Sequence, residues 1–260
     1  MNETIEIYLN SETAKRRGDT SDCFFSIPII QLDEEKETAY VSLKNAVVPY
    51  SWYNVNSSNN LLFITVGVND YTLTITPANY NVNTLAVELV KLFELGNMSF
   101  SVTYHSKTGK YDFKHAGEDF VFKKESTCFE LLGLTDQDHY SMAQIGGKLI
   151  QSNASCNLFT VRQLLLCSDN FILSNISSAS LSSKNIISCI PVSGNPGSII
   201  HYQNDALHKI HHTQNLASLH IQIKNDINEI VNLNGVHWSC TLAIHIITNP
   251  PIDVKKKTIK

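Results

Sequence analysis

Histidines are the residues of this chain best placed by type and spacing to do chemistry. His201, His208, His211 and His212 fall within twelve residues, and His220, His237 and His245 follow. Imidazoles converging from adjacent strands, usually with a carboxylate, hold zinc or iron in β-sandwiches such as cupins. A cupin-like metal-dependent enzyme using the 201–220 region is therefore one reading. The pattern leaves it incomplete: no His-x-His with a well-placed Glu follows, and His220 and His245 sit on the polar phase of their segments, opposite isoleucines. These two are expected to face solvent or an interface. Thr108-Gly109-Lys110 lacks the rest of a phosphate-loop frame and reads as a hairpin turn. There is no Gly-x-Ser-x-Gly elbow, no paired carboxylates stand out on an expected strand, and no Cys–His pair has a local signature. The expectation is a protein that is not an enzyme: no catalytic, cofactor-binding or metal-ligating residue is assigned, and no cofactor is implied.

The elements that would position these side chains are strands. Leu219/Ile221/Ile223 and Leu242/Ile244/Ile246 alternate with period two, the mark of a strand with one buried face. Joined by an asparagine-rich stretch with Gly235 and Trp238, they are expected to form a long antiparallel pair. Ile5, Ile7 and Leu9 alternate in the same way, so strands sit near both ends. Ile221, Ile223, Leu242, Ile244 and Trp238 are expected inside, with His220, Gln222 and His245 on the opposite face.

Composition supports many short strands and turns. Of 260 residues, 43% are hydrophobic and 17% charged, and 25 are asparagine, which tolerates left-handed turns and bonds its own backbone. A net charge of −4 gives no general attraction to nucleic acid or anionic membranes, so no specific nucleic-acid partner is expected. No apolar run approaches the ~20 residues of a membrane helix, and the start does not read as a signal peptide. The six scattered cysteines (Cys23, Cys128, Cys156, Cys167, Cys189, Cys240) are read as free thiols in a reducing compartment. Lys255, Lys256, Lys257 and Lys260 make a basic tail, either solvated or docked on a polyanion or an acidic neighbour.

Along the chain, 3–9, 23–30 and 40–48 read as strands, with polar Ser11 to Asp22 a loop, Asp33 to Glu37 an exposed turn, and Tyr50, Trp52 and Tyr53 a cap on the core's end. From Leu61 the character changes. Leu61 to Val66 and Tyr71 to Thr76 read as a hairpin. A helix follows, capped at Asn83 or Thr84, carrying Leu85, Leu89, Leu92 and Phe93, and ending at Gly96. A second hairpin spans 100–113, with a strand at 120–122 and a short helix at 126–132, so 61–133 reads as a compact β-β-α-β-β-α unit. Strands return at 158–167, 171–173, 186–190, 199–202 and 207–210. The fold class expected is mainly β, a jelly-roll β-sandwich with an inserted α+β module. Its divisions are 1–60, first part of the jelly roll; 61–149, the insertion; 150–250, second part of the jelly roll; and 251–260, the basic tail.

Five segments in this order carry a family resemblance: Asn45-Ala46-Val47-Val48-Pro49-Tyr50-Ser51-Trp52-Tyr53-Asn54; the hairpin into Ile75-Thr76-Pro77-Ala78-Asn79-Tyr80 with its helix; Val102-Thr103-Tyr104 before Thr108-Gly109-Lys110; Phe129 to Leu134, ending Leu-Gly-Leu; and Leu233-Asn234-Gly235-Val236-His237-Trp238-Ser239-Cys240-Thr241-Leu242. Together they span most of the chain, which resembles the penton, or minor capsid, proteins of virophages and Polinton-type elements. The resemblance implies a jelly-roll subunit that forms a homopentamer at the vertices of an icosahedral virion. It implies a double jelly-roll major capsid protein as neighbour, a possible host receptor, assembly inside the host cell and no catalytic residues. A carbohydrate- or receptor-binding β-sandwich, using the aromatics near Trp52 or the 61–133 module, is the alternative.

Overall fold

The structure is a computed structural model that describes residues 2–31, 37–173, 185–204, 206–210 and 215–249. It divides into two compact units, Met1–Trp52 with Val161–Lys260, and Tyr53–Thr160.

The first unit is a jelly roll. Its strands are β1 (Asn2–Asn10), β2 (Lys15–Arg17), β3 (Asp19–Ile30), β4 (Glu37–Pro49) and, after the second unit, β13 (Gln163–Ser168), β14 (Ile186–Pro191), β15 (Ile199–Gln203), β16 (His208–Lys209), β17 (Leu216–Lys224) and β18 (Ser239–Thr248). One sheet has the order β1-β18-β4-β15, with β16 also on β4; the other is β14-β13-β17-β3-β2. With the short β2 and β16 set aside, eight strands fall four to each of two antiparallel sheets, with β13 and β14 a hairpin within one of them, in jelly-roll order. Alternation drives this: Ile7 and Leu9 of β1, Val41 and Leu43 of β4, Leu219, Ile221 and Ile223 of β17, and Leu242, Ile244 and Ile246 of β18 share one buried cluster. The first and last strands lie side by side, Ile5 opposite Ile244.

The closing segments differ from the hairpin expected of them. β17 pairs with β13 and β3, whereas β18 pairs with β1 and β4, so the two lie in different sheets. The cause is their connection, whose Val231, Leu233 and Trp238 are buried in the shared core. A linker with its own apolar anchors passes from sheet to sheet instead of closing a turn. Ser11 to Asp22 also departs from a loop, since Lys15–Arg17 pairs with β3 as β2. Phe171 and Leu173 are buried without forming a strand. The turn expected at Asp33 to Glu37 falls, except for Glu37, outside the described residues.

The second unit packs two four-stranded antiparallel sheets, a long helix and a single-turn helix on a separate core. Its strands are β5 (Leu61–Val66), β6 (Asn69–Thr74), β7 (Phe100–His105), β8 (Lys110–His115), β9 (Phe120–Phe122), β10 (His139–Tyr140), β11 (Met142–Gln144) and β12 (Gly147–Gln151). The sheet orders are β10-β9-β5-β6 and β11-β12-β8-β7. The helices are α1 (Val82–Leu95) and α2 (Phe129–Leu132). The cap of α1 lies two residues before Asn83: Asn81 accepts from the amides of Asn83 and Thr84 while Thr84 returns a bond to the Asn81 amide, a reciprocal capping box. Leu85, Leu89 and Phe93 of α1 are fully buried, and Phe93 stacks on Phe100 at 4.2 Å.

The insertion is longer than 61–149. At its start Val55 pairs with Ala78, and Asn54 exchanges bonds with Tyr80. At its end β12 completes the sheet on β8, Ser152 bonds Leu132 and Tyr111, and the Cys156 amide reaches Gly109. Leu158, expected to begin a jelly-roll strand, packs on the second core instead. Polar turns flank these residues, so hydrophobic patterning alone does not mark where the chain re-enters the jelly roll.

Candidate functional site

Among the described residues no group of three or more His, Cys, Asp or Glu side chains could hold a metal ion. His201 is exposed on β15, His208 is half-buried on β16, and His211 and His212 lie outside the described residues. His220 is the histidine with the densest surroundings. Its Nε2 stands 2.6 Å from Asp22 Oδ1, its Nδ1 stands 3.0 Å from Asp169 Oδ2, and its ring stacks on Phe24 at 4.0 Å. Both nitrogens lie within hydrogen-bond distance of a carboxylate oxygen, one from β3 and one from the turn after β13. With every polar ring atom engaged, His220 ties β17 to β3 and to the turn after β13. It lies opposite the isoleucines, yet its side chain is only 13% exposed.

His237 belongs to a second cluster, where the chain passes between the sheets. Ser11 Oγ lies 3.2 Å from His237 Nδ1 and accepts from the Trp238 amide at 2.9 Å. The Trp238 indole donates to the Thr20 carbonyl at 2.6 Å, and Arg16 lies 3.3 Å from His237 Nε2. Asp19 accepts from the amides of Leu233 and Gly235, while Gly235 takes φ 75°, a left-handed conformation that glycine adopts freely. The arrangement is architectural: polar residues of one end of the chain satisfy backbone donors of the other. His245, on β18, bonds Thr4 and Ser42. Tyr50 and Trp52 stack at 4.1 Å inside the jelly-roll core, whereas Tyr53 is half exposed. Gly109 takes φ 70° in the turn of the β7–β8 hairpin, and the Lys110 ammonium donates to the Asn153 carbonyl. Asp22, Asp169, Asp19 and Ser11 drew no attention in the sequence because their partners lie far away in the chain and no local motif joins them.

Four of the six thiols are shielded by burial. All six cysteines are free, and Cys23, Cys128, Cys167 and Cys240 are buried. Burial raises Cys23 and Cys167 to about 11 and Cys128 and Cys240 to about 12. Cys189 alone is exposed.

The outer faces of the jelly roll offer contact surface. On the β1 side Tyr8 is 76% exposed, its hydroxyl donating to Glu6, which also pairs with Lys44 at 2.6 Å. That ammonium holds the Glu6 carboxyl below its ordinary range. On the other sheet β3 presents Ile29, 65% exposed, and the edge of Phe24. These surfaces belong to opposite layers of the sandwich and differ in chemistry.

No protein-family model and no curated protein matches the chain. Among solved structures, the crystal structure of the mavirus penton protein superposes on 95% of this chain and 100% of its own length, with a TM-score of 0.54 and 11% identity. The fold is that of a virophage penton protein. A chain of the Sputnik virophage structure, determined by cryo-electron microscopy, aligns over 94% of this chain and 97% of its own, with a TM-score of 0.46 and 12% identity.

Proposed function

We propose that this chain is a structural capsid subunit, the penton or minor capsid protein of an icosahedral virion, forming homopentamers at the vertices beside a major capsid protein of double jelly-roll type. One observation carries the reading. A complete jelly roll interrupted between β4 and β13 by a separately cored unit superposes on the whole mavirus penton chain. The two sheet faces fit the role, because a closed ring needs two different lateral surfaces on each subunit. In this reading the Tyr8 face of one subunit meets the Ile29 face of the next. The inserted unit makes the contacts outside the shell, a host receptor among them, and the virion is the site of action. The reading asks no chemistry of the chain, in keeping with the structural hydrogen bonds of His220, His237 and His245 and the burial of four of the six thiols.

Negative-stain imaging of the purified protein tests the reading, with five-fold rings expected. Mixing a Tyr8→Asp variant with an Ile29→Asp variant should give dimers that cannot close, since each retains one intact face. Monomers under all conditions, or rings insensitive to both changes, would refute it.

A further inference from the structure

In the second unit the strand β7 is a sheet edge beside a groove. β8 covers one side of β7, and no strand pairs with the other among the described residues. Its register with β8 is regular from Phe100 to His105, with no bulge and no proline to blunt the edge. In an antiparallel ladder alternate residues aim their N–H and C=O groups away from the partner, so this edge presents backbone donors and acceptors outward. Alongside it runs α1. Ala86, Val87, Val90, Lys91 and Glu94 of the helix, with Val102 of β7, line an apolar hollow of about 270 Å³. It meets a larger, polar hollow of about 760 Å³ around the start of β7 that includes Ser101 and Lys114. Glu94 lines both. Lys91 is paired with Glu88, and Lys114 donates to the Ile145 carbonyl. The Glu94 carboxylate has no partner among the described residues.

An open strand edge flanked by a helix-lined apolar groove is a geometry that takes an extended peptide as an added strand, backbone to backbone, with alternate side chains in the groove. Here the groove asks for apolar residues at alternate positions, followed by a cation against Glu94. The chain itself holds such a segment. Residues 250–260 lie outside the described residues, and in their sequence Ile252 and Val254 alternate with Asp253 and Lys255 ahead of Lys256 and Lys257. We propose that residues 250–260 of a neighbouring subunit add to the β7 edge, Ile252 and Val254 entering the hollow of Val87, Val90 and Val102 and Lys256 meeting Glu94. This rests on the reading of the chain as a self-assembling subunit. It would make the inserted unit a clasp between subunits.

A fluorescent peptide with the sequence of residues 250–260, titrated by anisotropy, tests the docking without reading oligomeric state. The receptor is the full chain carrying Lys256→Glu, which weakens competition from its own tail. Saturable binding is expected, falling about tenfold when Glu94→Lys or Val87→Asp is added, both at exposed positions. Against a Glu94→Lys chain that keeps its own Lys256, whose tail is then the mismatched one, a peptide carrying Lys256→Glu should regain most of the loss. Absence of binding, binding indifferent to Glu94 and Val87, or no recovery on charge exchange would each overturn the proposal. Because pentamers are measured separately, rings without peptide binding would sink the clasp and leave the capsid reading standing.

Discussion

At the scale of residues, the polar groups of the jelly roll act as fasteners. Asp22 is the clearest case, with a side chain only 6% exposed and its carboxylate on His220. Removing it leaves a largely buried ring nitrogen without its closest partner, and an unsatisfied buried polar group typically costs about 1–3 kcal/mol. Asp169 faces the same ring from a side chain 57% exposed, where an ion pair contributes about 0–1 kcal/mol. Urea denaturation of Asp22→Ala and Asp169→Ala should therefore show a large loss for the first and a small one for the second; equal losses would contradict this division. The thiols make a second expectation. Cys23, Cys128, Cys167 and Cys240 have raised folded-state values, while the unfolded chain ionises near its ordinary 9.0. Their contribution to stability is fully present below pH 9 and is lost as pH rises toward about 12. At pH 8, alkylation followed by mass spectrometry should modify Cys189 first and spare those four. Early labelling of Cys240 would show that the β18 core is not closed.

At the scale of elements, legibility followed how local the cause was. Alternation in β1, β5 and β18 and the helical spacing of Leu85, Leu89 and Phe93 are short-range signals, and they locate those elements to within a residue or two. Pairing is not local. The sequence of β17 and β18 shows two amphipathic strands but not that their linker's Leu233 and Trp238 anchor in the core and send the strands to different sheets. Nor does it show that β12 belongs to β8, because a five-residue strand between glycine-rich and serine-rich turns carries little periodicity. The exposure of Tyr8 and Ile29 is likewise hidden, since it depends on sheet order. The boundary has a direct consequence. A protein joining Trp52 to Val161 through a flexible linker removes one whole core and should fold. One lacking only 61–149 retains Val55, Cys156 and Leu158 without the core they pack on and should be poorly soluble. Circular dichroism and size-exclusion profiles compare them; equal behaviour would mean that residues 53–60 and 150–160 do not belong to the second unit.

At the scale of the whole molecule, the proposed function asks for association. On that reading a jelly roll with two chemically distinct outer faces would supply the repeated head-to-tail contact of a ring, and an insertion with its own core could vary without disturbing that contact. Native mass spectrometry of the purified chain tests this most directly. The account expects a species of five times the 29.1 kDa protomer, retained when residues 53–160 are replaced by a linker. A protein that stays monomeric at every concentration, or closes with another number of subunits, would contradict it.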